Sequence, residues 1–266
     1  MPYEGKSVLD GFPSGPKLRA VLPGQDQHVG GEVFATTHWS VVLQAGAESS
    51  PQAASALEDL CRTYWYPIYV YVRRKGHGAH DAEDLTQEFF ARLLRLNSLR
   101  EVGREKGKFR TFLLASLHHF LSDHWDKTTA AKRGGGERSL SLNDADAEQL
   151  YAADLAVNLA PEKLFDRRWA LTVLNNGFTR LQQEFAEAGK SAQFDAMKVF
   201  LSSEAAPGAY ESPARQLAMT PHAVGMAVLR LRQRYAELVR GQVADTVAGP
   251  ADVETELNYL FEVAGQ

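Results

Sequence analysis

The apolar residues between Gly107 and Trp125 recur with the spacing of an α-helix, and this stretch constrains the fold more than any other. Steps of three and four residues predict a helix, whereas a half-buried strand would alternate. The opposite face is polar, and a basic segment that ends in three glycines follows it. The apolar positions are Phe109, Phe112, Leu113, Leu117, Phe120, Leu121 and Trp125.

An aromatic helix that leads into a basic segment suits a surface that contacts nucleic acid. Lysine and arginine side chains meet phosphates, and aromatic rings stack on unpaired bases. The alternative for this stretch is a core helix followed by a solvated loop. The residues of the stretch leave both interpretations open.

Helical spacing also predicts helices over 51–74, 81–96 and 161–188, and no segment shows a competing β pattern. Pro161 suits the first turn of a helix, and Gly189 suits its end. We therefore predict an all-α fold made of two helical domains joined by a linker. The predicted boundaries are a flexible arm 1–34, a first domain 35–136, a linker 137–160, a second domain 161–249 and an acidic tail 250–266.

Composition excludes several classes of protein. The net charge of −4 argues against a bulk polycation, so any contact with nucleic acid must come from local patches. Cys61 is the only cysteine, which excludes an internal disulfide and a four-cysteine zinc site. No apolar run reaches the length of a membrane span, and the N-terminus lacks the apolar region of a signal peptide. We therefore expect a cytoplasmic protein with no membrane insertion.

The last part of the second domain predicts a helix-turn-helix. A short helix begins at Ser212, a turn follows at Met219, and Thr220 caps a second helix that has Pro221 in its first position. The second helix carries one acid, Glu237, among its cations. This arrangement is typical of proteins that place a basic helix against DNA. The cations are Arg230, Arg232, Arg234 and Arg240.

Three motifs together resemble bacterial RNA polymerase sigma factors of the extracytoplasmic-function (ECF) class. They occur in family order: Asp81-Ala-Glu-Asp-Leu-Thr-Gln-Glu-Phe-Phe, Phe109-Arg-Thr-Phe-Leu-Leu-Ala-Ser-Leu and Ala223-Val-Gly-Met-Ala-Val-Leu-Arg-Leu-Arg-Gln-Arg-Tyr. The resemblance covers about residues 36–262. It implies a sigma factor that binds core RNA polymerase and promoter DNA and directs promoter-specific transcription initiation. It implies no catalytic activity of its own and no cofactor or metal, and it leaves an anti-sigma factor or another regulator as a further partner.

The resemblance also implies a role for three surfaces. The first domain would bind the polymerase clamp and open the minus-ten element, and the second would read the minus-thirty-five element. The matching polymerase-binding residues are Asp84, Gln87 and Glu88. The candidates for the minus-ten element are Arg110, Phe112, His119, Lys127, Lys132 and Arg133, and those for the minus-thirty-five element are His222, Arg230, Arg232 and Arg234.

Some residues depart from the family pattern, and two other functions compete. His118 and His119 stand where the family commonly has Arg-Asn, and Ala218 replaces the usual turn glycine.

One competing function is a stand-alone helix-turn-helix regulator or a degenerate sigma paralogue. A remote alternative is a metal-dependent hydrolase. The candidate metal ligands of this hydrolase would be His77, His80, Asp81, His118, His119, Asp123 and His124.

Overall fold

The structure is a computed structural model, and it describes residues 51–95, 108–130, 144–155, 157–247 and 249–266. Within these ranges the chain is helical and has no β-strand, which confirms the predicted all-α class; one isolated bridge pairs Lys108 with Val247. The helices are α1 (Pro51–Arg74), α2 (Ala79–Arg95), α3 (Phe109–Ala130), α4 (Asp144–Leu155), α5 (Pro161–Glu187), α6 (Ser191–Met197), α7 (Glu211–Gln216), α8 (Pro221–Ala244) and α9 (Val253–Ala264), with 3-10 turns at Lys198–Leu201 and Pro250–Asp252.

The chain divides into two compact units. One unit holds the described residues up to Trp169 together with Ala244–Asp252, and the other holds Ala170–Val243 and Val253–Gln266. The helix α5 therefore contributes its start to the first unit and the rest to the second. The arm 1–34 lies outside the described residues. The predicted domain boundaries stay predictions.

The first unit is built on aromatic packing between α1 and α3. The ring of Tyr64 meets the edge of Phe109 with 5.2 Å between centroids, and it stacks on Phe165 of α5 at 6.1 Å. All three side chains are fully buried. The helix α2 adds Leu85 and Phe89, as its apolar stripe predicts. This core holds α2 and α3 in fixed positions, so their outer faces are available for binding.

The predicted linker 137–160 contains a helix that the weak sequence pattern did not indicate. In α4, Glu148 accepts hydrogen bonds from Arg73 at 2.8 and 3.0 Å and from the Tyr69 hydroxyl. Asp154 is completely buried and accepts from Arg168 at 2.6 Å. These acids stabilise α4 by polar contacts, which explains why its hydrophobic periodicity is weak.

The second unit packs α5 closely against α8. The Tyr235 hydroxyl donates to the backbone oxygen of Leu174 at 2.9 Å, and a Cβ atom at Gly177 would lie 2.9 Å from a Val239 methyl group. The expected acidic tail forms α9, whose Leu257 and Leu260 are buried in this unit. The residues beyond 250 therefore contribute to the core of the second unit.

A tight turn joins α7 to α8. Ala218 adopts the left-handed backbone region, with φ of +51°. The turn is closed by the Met219 amide, which donates to the Ala214 carbonyl at 2.9 Å. Thr220 caps α8, as predicted, since its hydroxyl oxygen accepts from the Ala223 amide at 3.2 Å. The chain therefore makes this turn without glycine, at a backbone conformation that is unfavourable for alanine.

Candidate nucleic-acid and polymerase interfaces

The outer face of α2 presents the acidic residues predicted to bind polymerase. Asp84 is exposed over 64% of its side chain and lies 3.7 Å from His80, and Glu88 is also exposed. Gln87 is half-buried and donates to Glu83 at 3.0 Å. Because the core-facing side of the helix is buried, these three side chains form one solvent-facing acidic patch. That patch has the charge to meet a basic surface on a partner.

Two of the minus-ten candidates on α3 lie in the interior of the first unit. The Arg110 guanidinium donates to Asp166 at 3.0 Å and lies over the Trp169 ring, 5.5 Å from its centroid. Its side chain is 12% exposed. Phe112 is buried, with 8% of its surface exposed. In this conformation Arg110 serves an internal ion pair and Phe112 serves the core, so neither is placed to contact DNA.

The exposed surface of α3 lies further along the helix. His119 is exposed, as a DNA contact requires. Trp125 was predicted to belong to the apolar stripe, but it is 67% exposed, so that part of the prediction is wrong. The stripe ends before Trp125 because the buried positions stop at Phe120. Of the remaining candidates, the side chain of Lys127 and the residues Lys132 and Arg133 lie outside the described part of the chain.

His118 lies beside His119 but is held by the first unit. Its Nε2 atom is 2.8 Å from the Tyr71 hydroxyl and 3.8 Å from Glu162. Tyr71 also donates to Glu162 at 3.1 Å. Burial, followed by the charge and hydrogen bond of Glu162, raises the pKa of Tyr71. The tyrosine therefore stays protonated and links α1, α3 and α5.

Two of the four arginine and histidine candidates on α8 bind other parts of the second unit. Arg232 donates to the carbonyls of Phe200 at 2.8 Å and Ser203 at 2.7 Å. Arg234 donates two hydrogen bonds to Glu184 of α5, at 2.9 and 2.8 Å, and one to Glu237 at 2.8 Å. The hydrogen bonds from Arg234 hold the pKa of Glu184 below its ordinary value. Both arginines therefore have structural partners.

The other two candidates, His222 and Arg230, are exposed and make no hydrogen bond or ion pair with any described residue. They lie eight residues apart on α8, which places them on the same side of the helix about two turns apart. Gly225, three residues after His222, lies at the edge of this side, where a Cβ atom would be 3.3 Å from the Tyr210 ring. The glycine therefore permits close packing of the second unit and leaves the outer face to His222 and Arg230.

The histidine and acidic side chains of the described ranges form no group of three or more that could hold a metal ion. Among the residues named for the hydrolase alternative, His118 and Asp123 have other partners. Asp123 accepts from Arg92 at 3.0 Å, and Asp81 lies in the first turn of α2. No helix in the described part of the chain is both long and apolar enough to cross a membrane.

Comparison with known proteins gives one family. The model described as Sigma-70 region 2 matches residues 60–131. No curated protein and no solved structure matches the chain. The matched range takes in most of α1, all of α2 and α3, and therefore both the acidic patch and the exposed end of α3. Residues 60–131 are thus similar to sigma-70 region 2, and this segment carries two of the three candidate surfaces.

Proposed function

We propose that this protein is a sigma factor of the ECF class that binds core RNA polymerase and directs promoter-specific transcription initiation. The observation that carries the proposal is the match of residues 60–131 to Sigma-70 region 2. The acidic patch of Asp84, Gln87 and Glu88 would dock on the polymerase clamp. In this role the protein supplies recognition and needs no catalytic group or cofactor of its own, and it would act in the cytoplasm.

The exposed end of α3 would meet the melted minus-ten element. An opened duplex presents unstacked bases and a displaced strand, which bind to aromatic rings and basic side chains. His119 and Trp125 are exposed at this end, whereas Arg110 and Phe112 are internal. We therefore move the proposed base contact from Phe112 to Trp125 and retain Lys127, Lys132 and Arg133 for the displaced strand.

The pair α7 and α8 would read the minus-thirty-five element as a helix-turn-helix. A helix fits the major groove of B-DNA, where base edges are distinguishable. His222 and Arg230 are the proposed DNA contacts, because Arg232 and Arg234 already have protein partners. Arg230→Gln should weaken binding to the upstream element and leave polymerase docking unchanged. Arg232→Gln should instead lower the free energy of unfolding of the second unit.

The experiment that tests the proposal is a pull-down of core RNA polymerase with the full chain. Asp84→Arg should abolish or strongly weaken binding, because it reverses a charge in the proposed clamp contact. The matched control is Glu187→Arg, which reverses a charge at an exposed position of α5 and should bind like the wild type. Both variants should keep the wild-type circular dichroism spectrum.

The outcomes of the pull-down separate the candidate functions. Loss of binding in Asp84→Arg alone supports the sigma-factor proposal and the acidic patch. Equal binding by all three proteins would remove Asp84 from the contact. A folded wild type that binds promoter DNA but no polymerase would favour a stand-alone helix-turn-helix regulator. Polymerase binding without promoter opening would favour a degenerate sigma paralogue.

A further inference from the structure

Two exposed apolar side chains lie on the outer face of α8. Met226 is 42% exposed and Leu229 is 47% exposed. They are three residues apart, so they are neighbours on the helix surface. Single exposed apolar residues are common on proteins and need no explanation. A pair on one turn of a helix that stays nearly half exposed indicates a binding surface.

The surroundings of this pair favour an anionic partner. His222 lies four residues before Met226, and the cation Arg230 follows Leu229 directly. The first three turns of α8, residues 221–232, contain no aspartate or glutamate. The positive end of the helix dipole adds to this charge. An apolar pair with a histidine at one end and an arginine at the other complements a surface with phosphates at its edges and a hydrophobic group between them.

The DNA major groove has this chemistry where it contains thymine. The thymine 5-methyl group is the apolar feature of the base edges in that groove, and phosphates line both sides. We propose that Met226 and Leu229 read thymine methyl groups in the upstream promoter element and thereby determine specificity for A·T pairs. This inference rests on the proposed reading of that element by α8. His222 and Arg230 would then supply the contacts that fix the position of the helix.

The test compares thymidine with deoxyuridine, which differ only by the methyl group. The full chain in complex with core RNA polymerase selects duplexes from a randomised pool, and an enriched duplex is resynthesised with deoxyuridine at single thymidine positions. Burial of one methyl group should give the wild type about fourfold tighter binding to thymidine at each contacted position. Met226→Ala and Leu229→Ala should each lose this preference at one position.

Two further variants serve as controls. Val199→Ala removes a side chain that is 58% exposed at another site of the second unit, and it should keep the fourfold preference. Arg230→Gln should weaken binding to thymidine and deoxyuridine duplexes equally and reduce the salt dependence of binding by about one phosphate contact.

Equal affinity of the wild type for both duplexes, with weaker binding by Arg230→Gln, would overturn the inference and leave α8 as a DNA-binding helix. If Met226→Ala and Leu229→Ala impair polymerase binding and leave the thymidine preference intact, the pair contacts protein and the inference is also wrong. A polymerase complex that enriches no duplex would refute the proposed upstream reading itself, and with it this inference.

Discussion

Replacement of Asp154 by alanine should destabilise the first unit severely, although sequence alone places this residue in a linker. Its carboxylate is completely buried and accepts hydrogen bonds from the Arg168 Nε atom at 2.6 Å and the Tyr66 hydroxyl at 3.2 Å. The Arg168 side chain is only 7% exposed. Asp154→Ala would leave this guanidinium buried without its counter-ion, which costs about 3–5 kcal/mol. An exposed linker position would change stability by less than about 0.5 kcal/mol.

The measurement is urea unfolding followed by far-UV circular dichroism. With a denaturant dependence of about 2–3 kcal/mol/M, a loss of about 4 kcal/mol lowers the transition midpoint by roughly 1.5–2 M. The double variant Asp154→Leu with Arg168→Met should recover part of the loss, because an apolar pair of similar volume replaces the ion pair but the Tyr66 hydroxyl and Arg167, 3.8 Å from Asp154, lose this partner. Asp195→Ala is the surface control. Its pair with Lys198 is about half exposed, so we expect a loss of about 0.5 kcal/mol or less.

A loss below about 1 kcal/mol in Asp154→Ala would refute this reasoning. It would mean that α4 does not pack on the first unit in solution and that residues 137–160 behave as the linker that the sequence suggests. Hydrogen exchange of the α4 amides gives an independent check, since a docked helix protects them and a linker does not.

Three further predictions concern the second unit. Ala218→Gly should raise the free energy of unfolding by about 0.5–1 kcal/mol, because glycine removes the strain of the left-handed turn at some cost in chain entropy. A lower thermal unfolding temperature in this variant would contradict the left-handed φ of Ala218. Gly177→Ala should cost about 1–3 kcal/mol because its methyl group would press on a valine 2.9 Å away, whereas Gly241→Ala meets no atom within 4 Å and should gain up to about 1 kcal/mol; equal effects in urea unfolding would count against this packing. Arg234 lowers the pKa of Glu184 from its ordinary value of 4.5. The contribution of this ion pair to the free energy of unfolding is therefore complete above pH 4.5, and it is lost as the pH falls through the pKa of Glu184 in the folded state. The difference in unfolding free energy between the wild type and Glu184→Gln should therefore shrink in acid, and a pH-independent difference would show that the ion pair does not form.

Helix positions could be predicted well from the sequence because apolar spacing and capping residues act locally. The predicted helix 51–74 has the same bounds as α1, and Pro161 and Thr220 begin or cap helices as expected. The helix α4 could not be predicted in this way. Its stabilising contacts run from Glu148 to Arg73 and from Asp154 to Arg168. Polar contacts between distant residues leave no periodic apolar pattern.

The candidate binding residues were harder to predict, because an amphipathic pattern gives a face but not the extent of its burial. Phe112 and Trp125 belong to the same predicted stripe of α3. The structure buries the first and leaves the second 67% exposed, because the other helices of the unit cover only part of α3. Sequence spacing therefore predicted the helix but not which of its aromatic residues is exposed.

For the arginines of α8, the sequence likewise does not predict which side chains bind other parts of the protein. Arg230 and Arg234 are four residues apart and share one side of α8, whereas Arg232, between them, points to a different side. Arg232 reaches backbone carbonyls of residues 200 and 203, and Arg234 reaches Glu184, which leaves Arg230 on the outer face. An arginine that satisfies backbone oxygens cannot also neutralise a phosphate without breaking those hydrogen bonds. Of these three arginines, only Arg230 should therefore contribute to the salt dependence of DNA binding.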